Sequence, residues 1–389
     1  MNAPTPLNRF IFRLAFMLVG VAVTVISSTL QQLTDYFNIP LENGGFFTAA
    51  FFIGSSFSIL AGGNLLDRVM SRNISLAGML FVGISLIALS FSQVAFIGLA
   101  CILFFGVGYG FLVMAGNGLA HRYNPENPAR ELSVINFLFG LGAVMGPQIA
   151  NFAISQPMED SFRLMYWIVG GAALIMAGLT MLLPNFAPVP RSASSVKIAW
   201  VSLIPFAVML FMYVGIEMGF SAWIKPQMML VALSSASTGA LGISIFWAGL
   251  TVGRFITTLL AGRVSGELLL FTGIGFAVFG VGGVLLFPAT EGILLIMSFM
   301  VGFGSAPIFP MAIAILNGRY PEGFGTISGI IIATGNSGAI FIPAIQGQVG
   351  GGNNGGMIVL MVAALSTLVC AIIALRKPKS AEKAQPLAQ

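Results

Sequence analysis

The chain has 389 residues, of which 57% are hydrophobic and only 7% charged, and its mean hydropathy is +0.97. This composition excludes a water-soluble globular protein, because too few polar side chains are available to cover such a surface. The formal net charge of +5 does not indicate nucleic-acid binding, since the basic residues are scattered singly or in pairs at segment ends. Cys101 and Cys370 both fall in apolar runs, so we expect neither a disulfide framework nor a metal site.

Apolar runs of about 20 residues recur along the chain, and each is long enough to cross the ~30 Å of hydrocarbon in a bilayer. We therefore predict an all-α polytopic membrane protein with twelve transmembrane helices. The run that follows Arg9 and Arg13 has no cleavage site, so it is predicted as a first helix and not as a removed signal peptide. The predicted spans are 10–34, 45–66, 73–93, 95–120, 132–155, 163–184, 200–224, 239–262, 267–287, 291–317, 325–346 and 355–375.

The segment 185–199 contains several Pro and Ser residues and interrupts the apolar runs. It divides the chain into two predicted bundles of six helices each, 1–184 and 200–389, and the second ends in a short basic tail. We predict that the segment itself is a cytoplasmic linker.

The two predicted bundles resemble each other in sequence. Gly106 aligns with Gly302 and Gly142 with Gly338, both at an offset of 196 residues, and the Phe16 region aligns with the Phe211 region at 195. A nearly constant register that runs through several helices is not expected by chance. Two like-oriented six-helix repeats, with a site at the membrane midplane between them, are typical of transporters that work by rocking one half against the other.

The basic residues predict the orientation in the membrane, because cytoplasmic loops carry an excess of Lys and Arg. If the N-terminus is inside, fourteen of the seventeen basic residues lie on the inner side, and the exceptions are Arg163, Lys225 and Arg254. Both termini are therefore predicted to be cytoplasmic, in the inner (plasma) membrane. The fourteen are Arg9, Arg13, Arg68, Arg72, Arg122, Arg130, Arg191, Lys197, Arg263, Arg319, Arg376, Lys377, Lys379 and Lys383.

A short motif lies between the second and third predicted helices, where Gly63-Asn64-Leu65-Leu66-Asp67-Arg68 is followed by Arg72. It resembles the corresponding loop motif of the major facilitator superfamily, to which the whole chain is similar in length, repeat and orientation. The resemblance implies the two-bundle major facilitator fold and a cytoplasmic gating latch formed by Asp67, Arg68 and Arg72. The second-half counterpart, Gly262-Arg263-Val264, lacks the acidic residue. The alternative is a solvated turn that obeys the charge rule.

A narrower resemblance is to the sugar-porter branch that includes fucose:proton symporters and sodium-dependent glucose transporters. Fucose-type members carry acidic residues in helices 1 and 4, whereas this chain has apolar or hydroxyl residues at the first place and Val113 near the second. Their coupling scheme is therefore not transferred to this chain. The resemblance is carried by Tyr213 to Glu217 with Trp223, by Gly106 to Asn117 with Arg130 and Asn136, and by Gly302 to Pro310 with Gly335 to Pro343.

Glu217 is an acidic residue near the middle of an apolar segment, 211–223, that reads FMYVGIEMGFSAW. An ionised carboxylate in hydrocarbon is costly, so such residues usually face a cavity and mark a path for substrate or protons. We predict Glu217 as the coupling residue, and the alternative is a structural Glu that is neutral or paired with an Arg. Arg254 lies about eight residues from the inner end of predicted helix 8. It is either a snorkelling structural cation or a partner of Glu217 or of an anionic substrate.

Amide side chains in several predicted spans suit a neutral polyol, because an amide both donates and accepts hydrogen bonds. Trp223 adds an apolar platform for the C–H face of a sugar. The alternatives are interhelical hydrogen bonding for the amides and the aromatic belt at the membrane interface for the Trp. The predicted substrate-binding set is Asn117, Asn136, Gln148, Glu217, Trp223, Asn317 and Asn336.

No phosphate-binding loop, carboxylate pair or metal-spaced set of His and Cys stands out, so we expect neither an enzyme nor a cofactor. We predict a monomeric secondary transporter in the lipid bilayer that moves a small neutral solute, most simply a sugar, with a proton or sodium ion. A proton-driven exporter of amphipathic compounds is the alternative within transport, supported by the Met- and Phe-rich composition. A non-transporting membrane receptor is disfavoured because no sizeable soluble domain is expected.

Overall fold

The computed structural model describes residues 4–66, 71–124, 128–186, 200–319, 324–350 and 352–376. The described residues form α-helices and one 3₁₀ turn, Leu41–Gly44, which confirms the predicted all-α class. The helices are α1 (Pro6–Val23), α2 (Val25–Tyr36), α3 (Gly45–Leu66), α4 (Ser71–Phe91), α5 (Ala95–Tyr123), α6 (Pro128–Ile154), α7 (Arg163–Thr180), α8 (Trp200–Leu230), α9 (Ala236–Leu260), α10 (Gly266–Leu286), α11 (Glu291–Ser305), α12 (Ile308–Arg319), α13 (Phe324–Gly350) and α14 (Asn354–Leu375).

Eleven stretches of the described residues are helical, long enough and apolar enough to cross a membrane. The twelfth span is α3, a 22-residue helix whose last side chains lie outside the described set. Two of the spans consist of two helices each, α1 with α2 and α11 with α12. The predicted twelve-span architecture is therefore confirmed.

The two broken spans depart from the straight helices that the hydropathy predicts. The first break is at Thr24, whose hydroxyl donates to the carbonyl of Val21 at 2.8 Å and competes with the helical hydrogen bonds. The second break lies at Ala306 and Pro307, where the proline has no N–H to continue the helix. Discontinuous helices in transporters occur where the backbone lines a cavity or a site.

The predicted end of the seventh span at residue 224 is wrong. α8 continues to Leu230 through Pro226, which lies inside the helix. Membrane helices tolerate an internal proline because neighbouring groups satisfy the freed backbone carbonyl. The consequence is that Lys225, predicted beyond the span, lies within the helix and is buried.

The two halves repeat the same close helix contacts at the glycines that the sequence alignment pairs. A Cβ on Gly106 would lie 1.9 Å from the carbonyl oxygen of Phe51, and one on Gly302 would lie 2.0 Å from that of Phe246. Gly142 meets α1 and Gly338 meets α8 in the same way, through carbonyl oxygens 2.0 and 1.8 Å from the hypothetical Cβ. Only glycine allows backbones to approach this closely. The predicted pseudo-repeat is thus visible as a repeated packing pattern.

The halves meet along three helix pairs, α3 with α13, α6 with α9, and α2 with α8. We call the face where α1 begins and α14 ends the termini side, and the other face the opposite side. Gln348 of α13 donates to the Glu42 carbonyl and, at 2.7 Å, to the Asn43 side chain, which joins the halves at the opposite side. The interface is therefore closed at the opposite side. The predicted linker lies almost entirely outside the described residues.

Candidate functional site

Glu217 lies near the middle of α8, with only 7% of the residue exposed. The hydroxyl of Tyr213 donates to its Oε2 at 2.5 Å. The two residues are four apart, so a helix places them on one face. A buried carboxylate at mid-membrane depth is thus held by a neighbour on its own helix.

Arg254 of α9 approaches the same carboxylate from the neighbouring helix. Its Nη2 lies 3.6 Å from Glu217 Oε1, which is an ion pair but too long for a direct hydrogen bond. About a third of the Arg254 side chain (32%) remains exposed. The guanidinium therefore lies beside Glu217 and does not snorkel away from it. The pairing agrees with one of the two interpretations of Arg254, and it also agrees with the structural alternative for Glu217, an acid paired with an Arg.

The first half also reaches this pair. Tyr109 of α5 is close enough to both Glu217 and Arg254 for an electrostatic interaction across the interface. Phe139 of α6 places its ring 6.0 Å from the ring of Trp247, in an edge contact. The site thus combines a charged pair from the second half with aromatic groups from both halves.

Hydrogen bonds close the interface in the region between the Glu217–Arg254 pair and the opposite side. The indole N–H of Trp247 donates to Ser221 Oγ at 3.1 Å, and Ser221 lies 3.4 Å from Ser27 of the first half. Lys225, one turn beyond Ser221, donates to the carbonyl of Ser28 at 2.6 Å. The first contact joins α9 to α8, and the other two join α8 to α2 of the first half. Together they separate the charged pair from the opposite side.

The predicted amides occupy different surroundings. Gln148 donates to Ser244 Oγ at 3.1 Å and so links α6 to α9 across the interface. Asn136 is exposed and donates at 2.9 Å to a carbonyl of its own helix, which uses one of its four hydrogen-bonding positions. Asn336 is half-buried on α13. The side chains of Asn117 and Asn317 lie outside the described residues.

Trp223 differs from its predicted role as a sugar platform in this conformation. Its ring is fully buried, and its indole N–H donates to the carbonyl of Pro343 at 2.9 Å. The ring packs where Gly347 of α13 leaves room for it. In this state Trp223 offers no surface to a solute and instead joins α8 to α13.

The predicted gating residues are only partly described. Arg72 donates to the carbonyl of Met181 at 3.4 Å, after the end of α7. A cation near the last carbonyls of a helix is favourably placed against the helix dipole. Asp67 and Arg68 lie outside the described residues.

Three residues of interest were not predicted from the sequence. Tyr213 could have been found, because it stands four residues before Glu217 on the same helix face. No comparable signal marks Tyr109, which reaches the pair from another helix. Lys225 was missed because the span was ended one residue before it.

A separate groove of 290 Å³ lies between α9, α10 and the broken α11–α12 span. Its lining is almost wholly apolar and includes no charged side chain, so it is not the charged site. It is lined by Gly253, Ile256, Thr257, Leu260, Val264, Leu268, Leu269, Thr272, Gly273, Phe276, Phe303 and Pro307. The described residues contain no cluster of three or more His, Cys, Asp or Glu that could hold a metal ion.

The chain is similar in fold to solved transporters. The D-xylose-proton symporter matches with a TM-score of 0.79 and 15% identity over 95% of this chain and 96% of that chain. A bacterial homolog of the human lysosomal transporter Spinster, in an inward-facing and unoccupied conformation, gives 0.75 and 14% over 95% and 96%. The nucleoside transporter NupG, in a mutant form, gives 0.73 and 14% over 94% and 99%.

Sequence relatives and a family model agree with this fold. Protein TsgA of Escherichia coli O157:H7 (strain EC4115 / EHEC) and that of Shigella dysenteriae serotype 1 (strain Sd197) are each 23% identical over 252 residues. The match spans 62% of this chain and 62% of the length of those relatives. The model of the Major Facilitator Superfamily matches residues 13–343. The chain therefore belongs to the Major Facilitator Superfamily.

Proposed function

We propose that this transporter takes up a small neutral polar solute, most simply a sugar, together with a proton or a sodium ion. The observation that carries the proposal is the buried Glu217, paired loosely with Arg254 at 3.6 Å near the interface of the two halves. Two fold neighbours are described as a D-xylose-proton symporter and a nucleoside transporter, whose solutes carry hydroxyl groups. A net-neutral acid–base pair suits a neutral solute, because no charge of the site needs a counter-charge from it.

The pair provides a physical route from ion binding to solute binding. When Glu217 takes up a proton it loses its charge, and its attraction for Arg254 falls. The N–H groups of the guanidinium then become free to donate to a solute hydroxyl. A sodium ion would act instead by binding the carboxylate oxygens. In both cases solute and ion are bound in one place and move together when the halves rock.

The test is Glu217→Gln. The amide keeps the size of the side chain but neither titrates nor binds a cation strongly. We expect accumulation of solute against its gradient to be lost, while solute binding and exchange across the membrane remain. The matched control is Glu291→Gln, which changes an exposed carboxylate at the start of α11. Accumulation at the wild-type level in Glu217→Gln would remove this residue from coupling.

Export of amphipathic compounds by a proton gradient is the second candidate. In this conformation Trp223 is hydrogen-bonded to Pro343 and Gln148 to Ser244, so two predicted sugar-binding side chains are engaged with protein groups. The aromatic rings of Phe139 and Trp247 then remain as apolar contacts for an amphipathic solute. A thermal-shift screen of the purified protein against sugars, amines and organic acids separates the two, because a bound ligand stabilises the folded state by mass action. Stabilisation by amphipathic amines and not by sugars would replace the first candidate with the second.

We also propose that the termini side faces the cytoplasm of a monomer in the inner membrane, with Asp67, Arg68 and Arg72 as the latch on that side. The count of basic residues supports this orientation. Cysteines introduced near Asn43 and Ser155, with Cys101 and Cys370 replaced by Ala, should react with an impermeant thiol reagent added outside. Cysteines near Arg122 and Ser194 should not react. Reaction of both sets from one side would contradict the twelve-span orientation.

A further inference from the structure

Lys225 is a buried lysine in the interface between the two halves. Only 3% of the residue is exposed, and its Nζ donates to the backbone carbonyl of Ser28 at 2.6 Å. The three ion pairs among the described residues, Arg13 with Glu131, Arg163 with Asp160 and Arg254 with Glu217, all leave Lys225 out. Within the described part of the chain, no carboxylate therefore lies within 4.0 Å of this ammonium group.

The direction of the side chain places the ammonium group in the seal of the closed side. Helical side chains lean toward the N-terminus of their helix, so Lys225 of α8 extends back toward Ser221 and the membrane centre. Its Nζ reaches Ser28, next to the Ser27 hydroxyl that Ser221 contacts. A lysine near the end of a membrane helix usually snorkels the other way, toward the headgroups. Closing the opposite side thus removes this ammonium from water.

Whether burial of Lys225 stabilises or destabilises the closed side depends on the balance between desolvation and hydrogen bonding. The ammonium gives up its hydration shell and gains, among the described residues, one hydrogen bond to a neutral carbonyl. The effective desolvation penalty of a buried ion exceeds what a single hydrogen bond returns, and a buried charge without a counter-charge is destabilising. If Lys225 instead releases its proton before it is buried, the desolvation cost is replaced by the free energy needed to deprotonate an amine at neutral pH. Closure is therefore penalised in either protonation state.

We propose that Lys225 destabilises the closed opposite side and thereby returns the transporter to the state that is open on that side. Lys225 thus shifts the equilibrium between the two access states. Its contact with Ser28 does not hold the closed side shut. The inference rests on the alternating access of the proposed function but on neither the solute nor the coupling ion. After solute release, the empty transporter has to reopen, and the ammonium regains its water at that step.

The experiment measures how often the opposite side opens, in purified protein in lipid nanodiscs without added solute. The reporter is Thr48→Cys, in a background with Cys101→Ala and Cys370→Ala. Thr48 is buried on α3 one turn after Gly45, which lies directly against Pro343 and Ala344 of α13. Opening separates α3 from α13, so the rate of reaction with a bulky maleimide follows the open population. Reaction times are set so that the parent protein is half-labelled.

Lys225→Met removes the charge but keeps an apolar side chain of similar length. We expect it to slow the labelling about tenfold, which corresponds to about 1.4 kcal/mol in the opening equilibrium. Lys225→Gln, a second neutral variant, should slow it in the same direction. Arg9→Met, which removes an exposed cation at the start of α1, is the matched control and should leave the rate unchanged.

Faster labelling in Lys225→Met would show that the Ser28 contact is a latch and would overturn the proposal. An unchanged rate would overturn it as well, because burial of the ammonium would then have no effect on the equilibrium. Since no solute or ion gradient is used, failure here is distinguishable from failure of the sugar hypothesis, which only the uptake and binding assays test.

Discussion

Two acid–base pairs in this transporter have the same chemistry and opposite geometry. Arg13 of α1 donates to both carboxylate oxygens of Glu131 of α6, at 2.9 and 2.7 Å, and the Glu131 side chain is fully buried. The Arg254 guanidinium stands 3.6 Å from Glu217 without a direct hydrogen bond, while Tyr213 occupies the other carboxylate oxygen at 2.5 Å. The Arg13–Glu131 contact is bidentate, whereas the Arg254–Glu217 contact is not.

We propose that the difference separates a structural pair from a pair that works in transport. A bidentate Arg–carboxylate contact is among the strongest and most directional in proteins, and it holds α1 against α6 within one half. A looser pair with a competing donor can exchange a proton, an ion or a solute hydroxyl without breaking the packing of its helices. We therefore expect the first pair to determine stability and the second to determine transport.

The largest effect should come from Glu131→Gln. Arg13 presents two donors, but a Gln side chain offers one acceptor and turns a donor toward the other N–H, which leaves buried groups unpaired. We expect a loss of about 2 to 3 kcal/mol in the free energy of unfolding. Thermal unfolding in detergent should show a clearly lower melting temperature for Glu131→Gln than for Glu217→Gln. Equal melting temperatures would remove the distinction between the pairs.

A smaller effect is expected from Tyr213→Phe, which removes the donor to Glu217 and keeps the ring. Removing one donor from a buried carboxylate costs about 1.5 to 3 kcal/mol, so we expect transport to fall at least about tenfold. The melting temperature should fall as well, but by less than in Glu131→Gln, where two donors are affected. The control is Tyr166→Phe, because the Tyr166 hydroxyl lies 3.0 Å from Thr29 inside the first half. Wild-type transport in Tyr213→Phe would mean that Glu217 works without this neighbour.

The smallest effect is expected from Asn136→Ala. This change tests whether a neutral amide contributes to solute binding in addition to the Glu217–Arg254 pair. Solute binding should weaken about fivefold, or about 1 kcal/mol, with expression and melting temperature near the parent. Gln156→Ala is a matched control. Its amide also donates at 2.9 Å to the carbonyl four residues earlier, but at the opposite side of the membrane. Equal binding by both variants would speak against the neutral-polyol hypothesis.

Hydropathy and repetition were sufficient to predict the spans, the two like halves and the position of Glu217 inside a membrane helix, because these depend on local composition and on a nearly constant register. The role of Glu217 in coupling stays a prediction. The breaks at Thr24 and Ala306 were not predicted. The presence of a Thr or a Pro in an apolar run does not reveal whether the helix stops there or continues. The opposite case is Pro226, which α8 passes through.

Pairing across helices was largely beyond prediction. Arg13 and Glu131 are 118 residues apart, and both look like ordinary charges at helix ends in the sequence. Their contact depends on how α1 is rotated against α6, which no local pattern specifies. The burial of Trp223 has the same origin, because its place beneath Gly347 is decided by the packing of α8 on α13. Arg254 was foreseen as one of two alternatives, and the geometry of the helices decided between them.

The glycine contacts at Gly106, Gly142, Gly302 and Gly338 have a genetic consequence. At each of them a backbone oxygen of the next helix stands where a first side-chain carbon would be. Every single-base change in the first two letters of a glycine codon yields a residue with that carbon or a stop codon. Each of these codons is therefore a place where any amino-acid-changing mutation pushes two helices apart, whatever solute the transporter carries.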